Sequence, residues 1–577
     1  GWSLNGNKMS TYGEVSVEIK RQVVKKILDA RVKELQDEFN LKAQLVNMKQ
    51  KSSAWVKSTS DFESAGDLIQ YLQNLYLDPV DDDTKKEIFR YFRHSWRIPY
   101  KTTPGRTLSF LVRSKLDDKI VAITSLASPV MWMSNRDEAM GFESFHREKI
   151  PLTKDEQKKF KDKKSRKETR TEWVNRWKNN GLVDSSNNRH NQADNYTVDE
   201  LITSLKQSLL VRLQQFPLEL LLSKSEQNQL SRWGLDVSST KPTLWDVEPK
   251  DTALDRRNID KRRRIVNKCI KSYLELCKLS TGMNVDQLFF KIHHQKPQTF
   301  LKALQYGMRE RKTSIVSGNL AEMIICGAVP PFNILRVGKL ASMLMFSKEL
   351  SNTWYGTYSG MVSEISSNLS GKEITRDSKL LALSTTGLYG SSNVQYDRAK
   401  FPHDGRRFGF SKRGVTGEST NGDHVGPSTL TISNRTWDFI NRYALENGLL
   451  ENTSGKFGEG TSARIRRMQS VIRHVMAVLN ESLEGEETEE ELFDTQMINR
   501  IVMNPFSRSV HVGLIPKLGR RVLLGIDTVT NEDLDLLSAD EIVSYWSERW
   551  LTNYLSKPGN FTKFTEINAM DYLPPYE

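Results

Sequence analysis

Two short stretches of this 577-residue chain concentrate the side chains that could do chemistry. The first begins with the apolar run Met323–Cys326, turns at Gly327-Ala328-Val329-Pro330-Pro331, and continues through Asn333 to Leu344 as a loop entering an amphipathic helix. A strand, a glycine-bearing turn and a helix start leave backbone N–H groups unpaired and aim the positive end of the helix dipole at one point, which makes an anion cradle. Arg336 and Lys339 would add charge to it. The stretch lacks the serial glycines of a nucleotide P-loop, so spacing alone leaves Gly338 open to a second reading, close helix packing. The second stretch places Ser391, Ser392, Asn393, Gln395, Tyr396, Asp397 and Arg398 within eight positions. That is too polar for a buried helix without extensive hydrogen bonding. It reads as the lining of a functional site, the alternative being an exposed helix start capped by Ser391 or Ser392. Tyr396 can act as a general acid only where something holds it at the reacting atom. Tyr389 either stacks on a base or covers the sheet.

Other chemistries find less support. Cys269, Cys277 and Cys326 have the spacing of neither a disulfide framework nor a zinc site, the nine histidines are scattered, and no metal is expected. No paired-carboxylate motif of a nuclease stands out. The charge balance is more informative. With 84 Lys and Arg against 71 Asp and Glu, the formal net charge is +13. Such a balance favours polyanionic partners, here DNA or RNA. The basic residues cluster at Lys163, Lys164 and Arg166, at Arg256, Arg257, Lys261, Arg262, Arg263 and Arg264, and at Arg466 and Arg467. Each cluster reads as a phosphate-contacting patch or as a solvated helix face. Four consecutive basic residues wrap around a helix, so not all of 261–264 can face one partner.

The elements that must position these residues follow from periodicity. Val23, Val24, Ile27, Leu28, Val32, Leu35 and Phe39 recur at helical spacing within one charged helix over 14–50. It packs on its own domain or serves as a protein-binding arm. Residues 54–100 read as helical and aromatic. Thr107–Arg113 and Ile120–Leu126 flank Asp117-Asp118 as a β-hairpin. Residues 198–316 are mostly helical, Leu380–Leu383 is a strand, and Arg407–Phe410 and Leu430–Ile432 look like strands. A helix at 461–482 precedes an acidic linker, Glu484–Asp494. The tail holds a β-like hairpin around Gly513–Gly525 and a helix near 539–555. The organisation expected is a helical N-terminal region (1–100), an α/β core (101–450) with a helical insertion at about 150–315, and a helical and small-β C-terminal region (451–577). No run of about 18 apolar residues predicts a membrane span. Gly1–Ser10 has no apolar core of a secretory signal, and free thiols fit a cytoplasmic location.

The succession hairpin, strand–turn–helix, strand–helix, strand resembles the GNAT acyltransferase plan. That resemblance implies a mixed-sheet core, with Arg336, Gly338, Lys339, Leu340 and Ala341 as the turn that binds the pyrophosphate of acyl-coenzyme A. It further implies Asn393 and Tyr396, with Ser391 beside them, as the helix residues at the cofactor. The departure from the plan is the long stretch 127–322 between hairpin and turn. More specific segments are CGAVPPFNILRVGKLASML (326–344), TTGLYGSSNVQYDRAK (385–400), the later Phe408-Gly409-Phe410 with Ser411-Lys412, and VAITSLASPV (121–130) followed by Asn135-Arg136-Asp137 and Gly141. In this order they resemble the DruA family of Druantia anti-phage systems over roughly 100–450. The resemblance implies a nucleic-acid-binding protein of phage defence or mobile-element biology, with the GNAT-like core as binding platform. The alternatives are a transferase that modifies a nucleic-acid base from an acyl-coenzyme A-like donor, and a non-catalytic protein scaffold. Arg136 and Asp137 either bind a substrate phosphate or, the favoured reading, form a structural ion pair.

Overall fold

The protein is described here by a computed structural model covering residues 40–96, 105–142, 170–179, 181–184, 194–232, 253–279, 281–294, 298–387, 394–403, 406–415, 434–449, 467–468, 470–475, 477–478, 509–515 and 519–575. Its strands in chain order are β1 (Leu75–Pro79), β2 (Thr107–Ser114), β3 (Ile120–Ala127), β4 (Leu320–Ala328), β5 (Ala382–Thr386), β6 (Phe401–His403), β7 (Arg406–Phe408), β8 (Ser411–Val415) and β9 (Ser509–Leu514). The helices used below are α1 (Ala65–Gln73), α2 (Asp83–Arg93), α3 (Ser134–Ala139), α4 (Val198–Gln214), α5 (Ala253–Cys277), α6 (Thr299–Gly318), α7 (Val337–Leu344), α8 (Glu364–Ser370), α9 (Val394–Asp397), α10 (Arg520–Leu524) and α11 (Ala539–Trp546).

Seven strands form one mixed sheet in the order β1-β2-β3-β4-β5-β9-β8, and β6 and β7 form a separate ribbon. The molecule is thus a mixed α/β protein. The expected hairpin is present as β2 and β3, antiparallel, with Asp118 in the left-handed region (φ 57) at its turn. Asp tolerates that region better than most residues because its short polar side chain bonds locally. Every residue of β3 is buried, as befits a central strand covered on both faces.

Two sequence expectations need correction. Residues 54–100 are not all helical, because β1 lies between α1 and α2 and pairs with β2. Both flanking helices carry strong start signals, a Ser64–Asp67 capping box and an Asp82 cap. The five-residue strand between them is too short to show alternation, and it is fixed by tertiary pairing, including Arg113 Nε to Asp78 Oδ2 at 2.7 Å. Among the described residues the tail hairpin is also absent. β9 pairs with β5 and β8 instead, and residues after it form α10, ended by Gly525 at φ 77. The sheet therefore takes strands from before residue 100 and from after 450. Leu430–Ile432 and the acidic segment lie outside the described residues, as does the 14–50 helix before residue 40; residues 40–51 are helical.

β3 and β4 are neighbours although residues 128–319 separate them in the chain. That stretch supplies α4, α5 and α6, which pack on one another through Leu205, Leu209, Val266, Cys269 and Leu304, all buried. A buried ionic group fastens the hairpin region to α6. Arg136 donates to Asp137 at 2.7 Å, and Lys312 Nζ lies 2.7 Å from the other Asp137 oxygen, with side-chain exposures of 0, 1 and 1%. Lys312 also sits 3.2 Å from the Trp132 ring centroid. Each charge keeps a partner, so the burial is tolerated. Arg136 and Asp137 are structural, as the sequence suggested.

Candidate functional site

Among the described strands of the sheet, β4 and β5 are the one parallel pair. They pair only at Leu320–Glu322 against Ala382–Ser384. Beyond this β4 runs on to Ala328 unpaired with β5, and its register to β3 shifts between Met323 and Ile325. Thr385 Oγ1 donates to the Met323 carbonyl at 2.8 Å and closes the base of the divergence. α7 starts beside the opening and α9 enters it from the β5 side.

Arg336 joins a short 3-10 turn to α7 with φ 62, a left-handed conformation that is uncommon for a residue with a Cβ. Its guanidinium lies 5.7 Å from the Tyr554 ring centroid. The Lys339 N–H donates to the Arg336 carbonyl at 2.9 Å, which takes one donor away from any ligand at the helix start. Lys339 itself is buried. Burial first, then repulsion from Arg336 and Arg398 holds its ammonium down to about 8, while Asp397 acts in the opposite sense. Leu340 and Ala341, expected in a pyrophosphate turn, are fully buried core residues of α7.

On the other wall, Tyr396 is buried edge-on to Phe410 at 5.7 Å and to His511 at 5.2 Å. Burial and the neighbouring Cys326 thiol push its phenol well above the ordinary range. Burial likewise pushes Cys326 up to about 12, so it stays a thiol. His511 of β9, fully buried, lies 3.0 Å from Asp397 Oδ1. Desolvation outweighs Asp397 and lowers its pKa, so the imidazole is neutral at pH 7.

Gln395 spans the opening. Its Nε2 donates to the Gly338 carbonyl at 2.9 Å and to the Cys326 carbonyl at 3.3 Å. A Cβ on Gly338 would meet the Gln395 amide at 3.4 Å, so this glycine lets helix and glutamine approach closely. The residues therefore do not fit an acyl-coenzyme A seated on the 336–341 turn. Its acyl arm would have to displace Gln395 to reach Tyr396. Arg336 and Arg398 are exposed beside the opening, and their charge acts on the buried Lys339 against one carboxylate, Asp397, an electrostatic balance that favours an anion at the surface.

The structure thus brings together Arg336, Gly338, Lys339 and Tyr396. Arg398, Asp397, Gln395 and His511 join them without having been singled out. The first three were visible as part of the polar 391–398 segment. His511 carried no signal, a lone histidine between valines. Ser391, Asn393, Tyr389, Lys163, Lys164, Arg166 and Arg466 lie outside the described residues, and Arg256 and Arg257 lie on α5. Arg262 donates to the Asn368 and Leu369 carbonyls at 3.0 and 3.2 Å, closing the C-terminus of α8. Arg263 donates to the Leu221 carbonyl at 3.1 Å, at the end of the one-turn helix Leu218–Leu221. Lys261 is half-buried, Arg264 is exposed and donates within α5 to Asp260, and Arg467 donates to Asn441 at 2.7 Å. Among the described residues no group of His, Cys, Asp and Glu is placed to hold a metal, and no helix is long and apolar enough to cross a membrane.

Fold and site together define a mixed α/β protein with a closed strand divergence and a basic mouth. A family model described as Druantia protein DruA matches residues 11–197 and 306–494. The chain belongs to the DruA family. The Druantia protein DruA of Escherichia coli (strain UMEA 4076-1) is 30% identical over 156 residues, 27% of this chain and 34% of that protein, so the match spans about a third of the relative's length. No solved structure matches the chain.

Proposed function

We propose that this protein acts in Druantia anti-phage defence as a nucleic-acid-binding component, with a GNAT-like core serving as the binding platform. The observation that carries the reading is the basic mouth at the β4–β5 divergence. The exposed Arg336 and Arg398 flank an opening that Gln395 ties shut, and their charge, felt at the buried Lys339, would meet a backbone phosphate at the surface. The GNAT-like reading is supported by the order of elements. Hairpin, strand–turn–helix and strand–helix all lie in one sheet, with the turn and the polar helix on the two sides of the divergent parallel pair. The net charge of +13 supports a polyanionic partner.

Binding of DNA and RNA, single- and double-stranded, measured across a salt series tests the reading. Wild type should bind with affinity falling steeply in salt, and Arg336→Ala with Arg398→Ala should lower the slope of log K against log salt by about two. An unchanged slope would remove the mouth from the interface. A mass change in the recovered bases would replace the platform with the transferase.

A further inference from the structure

A second cleft lies where α4 and α6 meet the segment leading into β5. Gln207 and Arg212 of α4, Arg311 and Ser314 of α6, Arg376 and Gly525 line it. Three guanidinium groups therefore converge on a cleft whose lining contributes one carboxylate, Glu310. Glu310 Oε2 lies 3.2 Å from Arg212 Nε, and Arg212 also donates to Gln215 at 2.6 Å and covers the Phe216 ring. Arg311 is anchored from one side. Its Nε and Nη2 each donate at 2.8 Å to the carbonyls of Leu523 and Val522 at the end of α10.

Arg376 differs from both. Its Nη2 donates to Ser366 Oγ at 3.0 Å, but its Nε is buried without a partner and no described carboxylate pairs with it. The charges that act on it are two further cations, Arg212 and Arg106. Burial and that repulsion hold it down to about 10, and burial alone holds Arg311 down to about 10. Arg106 is committed elsewhere, donating to the Gly318 carbonyl at 3.1 Å and facing the Tyr358 ring. Desolvated cations without counter-charge cost folding energy. A compact oxyanion in the cleft would supply that counter-charge, and guanidinium forks match its geometry.

We infer that this cleft binds a phosphoryl group, with Arg376 as its principal donor, Arg212 and Arg311 flanking it, and Gln207 and Ser314 as neutral donors at the rim. The phosphoryl group belongs either to a free phosphate monoester or to the backbone of a nucleic acid. The cleft shares no residue with the mouth at β4 and β5, and α4 lies outside both stretches matched by the family model, so the inference stands independently of the proposed platform.

The full chain at low ionic strength is titrated with inorganic phosphate, with a nucleoside 5′-monophosphate and with a DNA oligonucleotide lacking terminal phosphates, by calorimetry and thermal melting. Inorganic phosphate and the monophosphate should bind and raise the melting temperature. Arg376→Met should weaken that binding at least about tenfold, the loss of a charge-assisted contact. Gln207→Glu, on an exposed position of α4, should weaken it severalfold without lowering the ligand-free melting temperature, because the added carboxylate offsets part of the cleft's cationic excess. Arg376 dependence confined to the oligonucleotide would identify the backbone as the source. No response to any of the three in wild type, or responses retained in both variants, overturns the inference. Arg336→Ala with Arg398→Ala should leave the phosphate response intact, which separates a failure here from a failure of the platform.

Discussion

The run Lys261–Arg264 on α5 and the trio Arg336, Lys339 and Arg398 at the strand divergence are both basic, and they put their charge to opposite uses. The run is dense in sequence, but Arg262 and Arg263 spend hydrogen bonds on the carbonyl ends of two short helices. The trio is spread over 63 positions of sequence numbering, from 336 to 398, and converges at one mouth with a single opposing carboxylate. Charge density along a chain reports where cations are. Charge that has been gathered in excess of its counter-charge reports where an anion is wanted. An arginine capping a helix end acts on stability, whereas one at an open mouth acts on association.

Removing both Arg336 and Arg398 should have the largest effect on binding, as stated above, with little loss of stability. The mirror experiment is Arg262→Ala. Losing its two carbonyl contacts should cost about 1–2 kcal/mol of stability in denaturant titrations, and the salt slope of nucleic-acid binding should hold. A variant that binds weakly yet unfolds like wild type would collapse the distinction. Gln395→Ala probes the closed opening. Wild type should show no thermal shift with acyl-coenzyme A, and the variant should melt at a lower temperature for want of the Gly338 and Cys326 carbonyl contacts. A donor-dependent shift in wild type would reopen the transferase reading.

Lys339 offers a smaller effect with a definite sign. It titrates near 8 in the fold and near its ordinary value of about 10.4 when unfolded. The folded state thus binds fewer protons than the unfolded one between these values. The buried charge opposes folding fully below pH 8, and the opposition fades as pH rises through 8 toward the unfolded value. Lys339→Met should therefore melt above wild type at pH 6–7, with the gap closing by about pH 10. A gap independent of pH would mean that packing, not charge, separates the two. Least of all should change in Arg264→Ala, an exposed side chain, with stability within about 0.5 kcal/mol of wild type and no change in salt slope. A slope lower by about one would bring the α5 face into the interface.

Local signals made the hairpin, the strand–turn–helix at 323–344 and the helix near 539–555 legible in the sequence. Each is governed by contacts close along the chain: alternation, a turn residue that tolerates positive φ, helical spacing and capping. The polar 391–398 segment was legible as one that needs hydrogen-bond partners, because so many polar groups cannot be buried without them, and Gln395 finds its partners in the Gly338 and Cys326 carbonyls. β1 and β9 were not legible. Strands of five and six residues are specified by the edges they pair with, and those edges lie far away in sequence. For the same reason His511 could not be assigned to the site, since only the pairing of β9 with β5 sets it opposite Thr385 and beside Asp397.

The sequence by itself determined the composition of the molecule: its family motifs, its excess of positive charge, and the residue types available at the turn and the polar helix. Tertiary structure alone decided which charges meet. Whether an arginine caps a helix, pairs with a carboxylate or stays uncompensated depends on partners brought in by packing across hundreds of residues, and electrostatic energy falls off with distance in space, not along the chain.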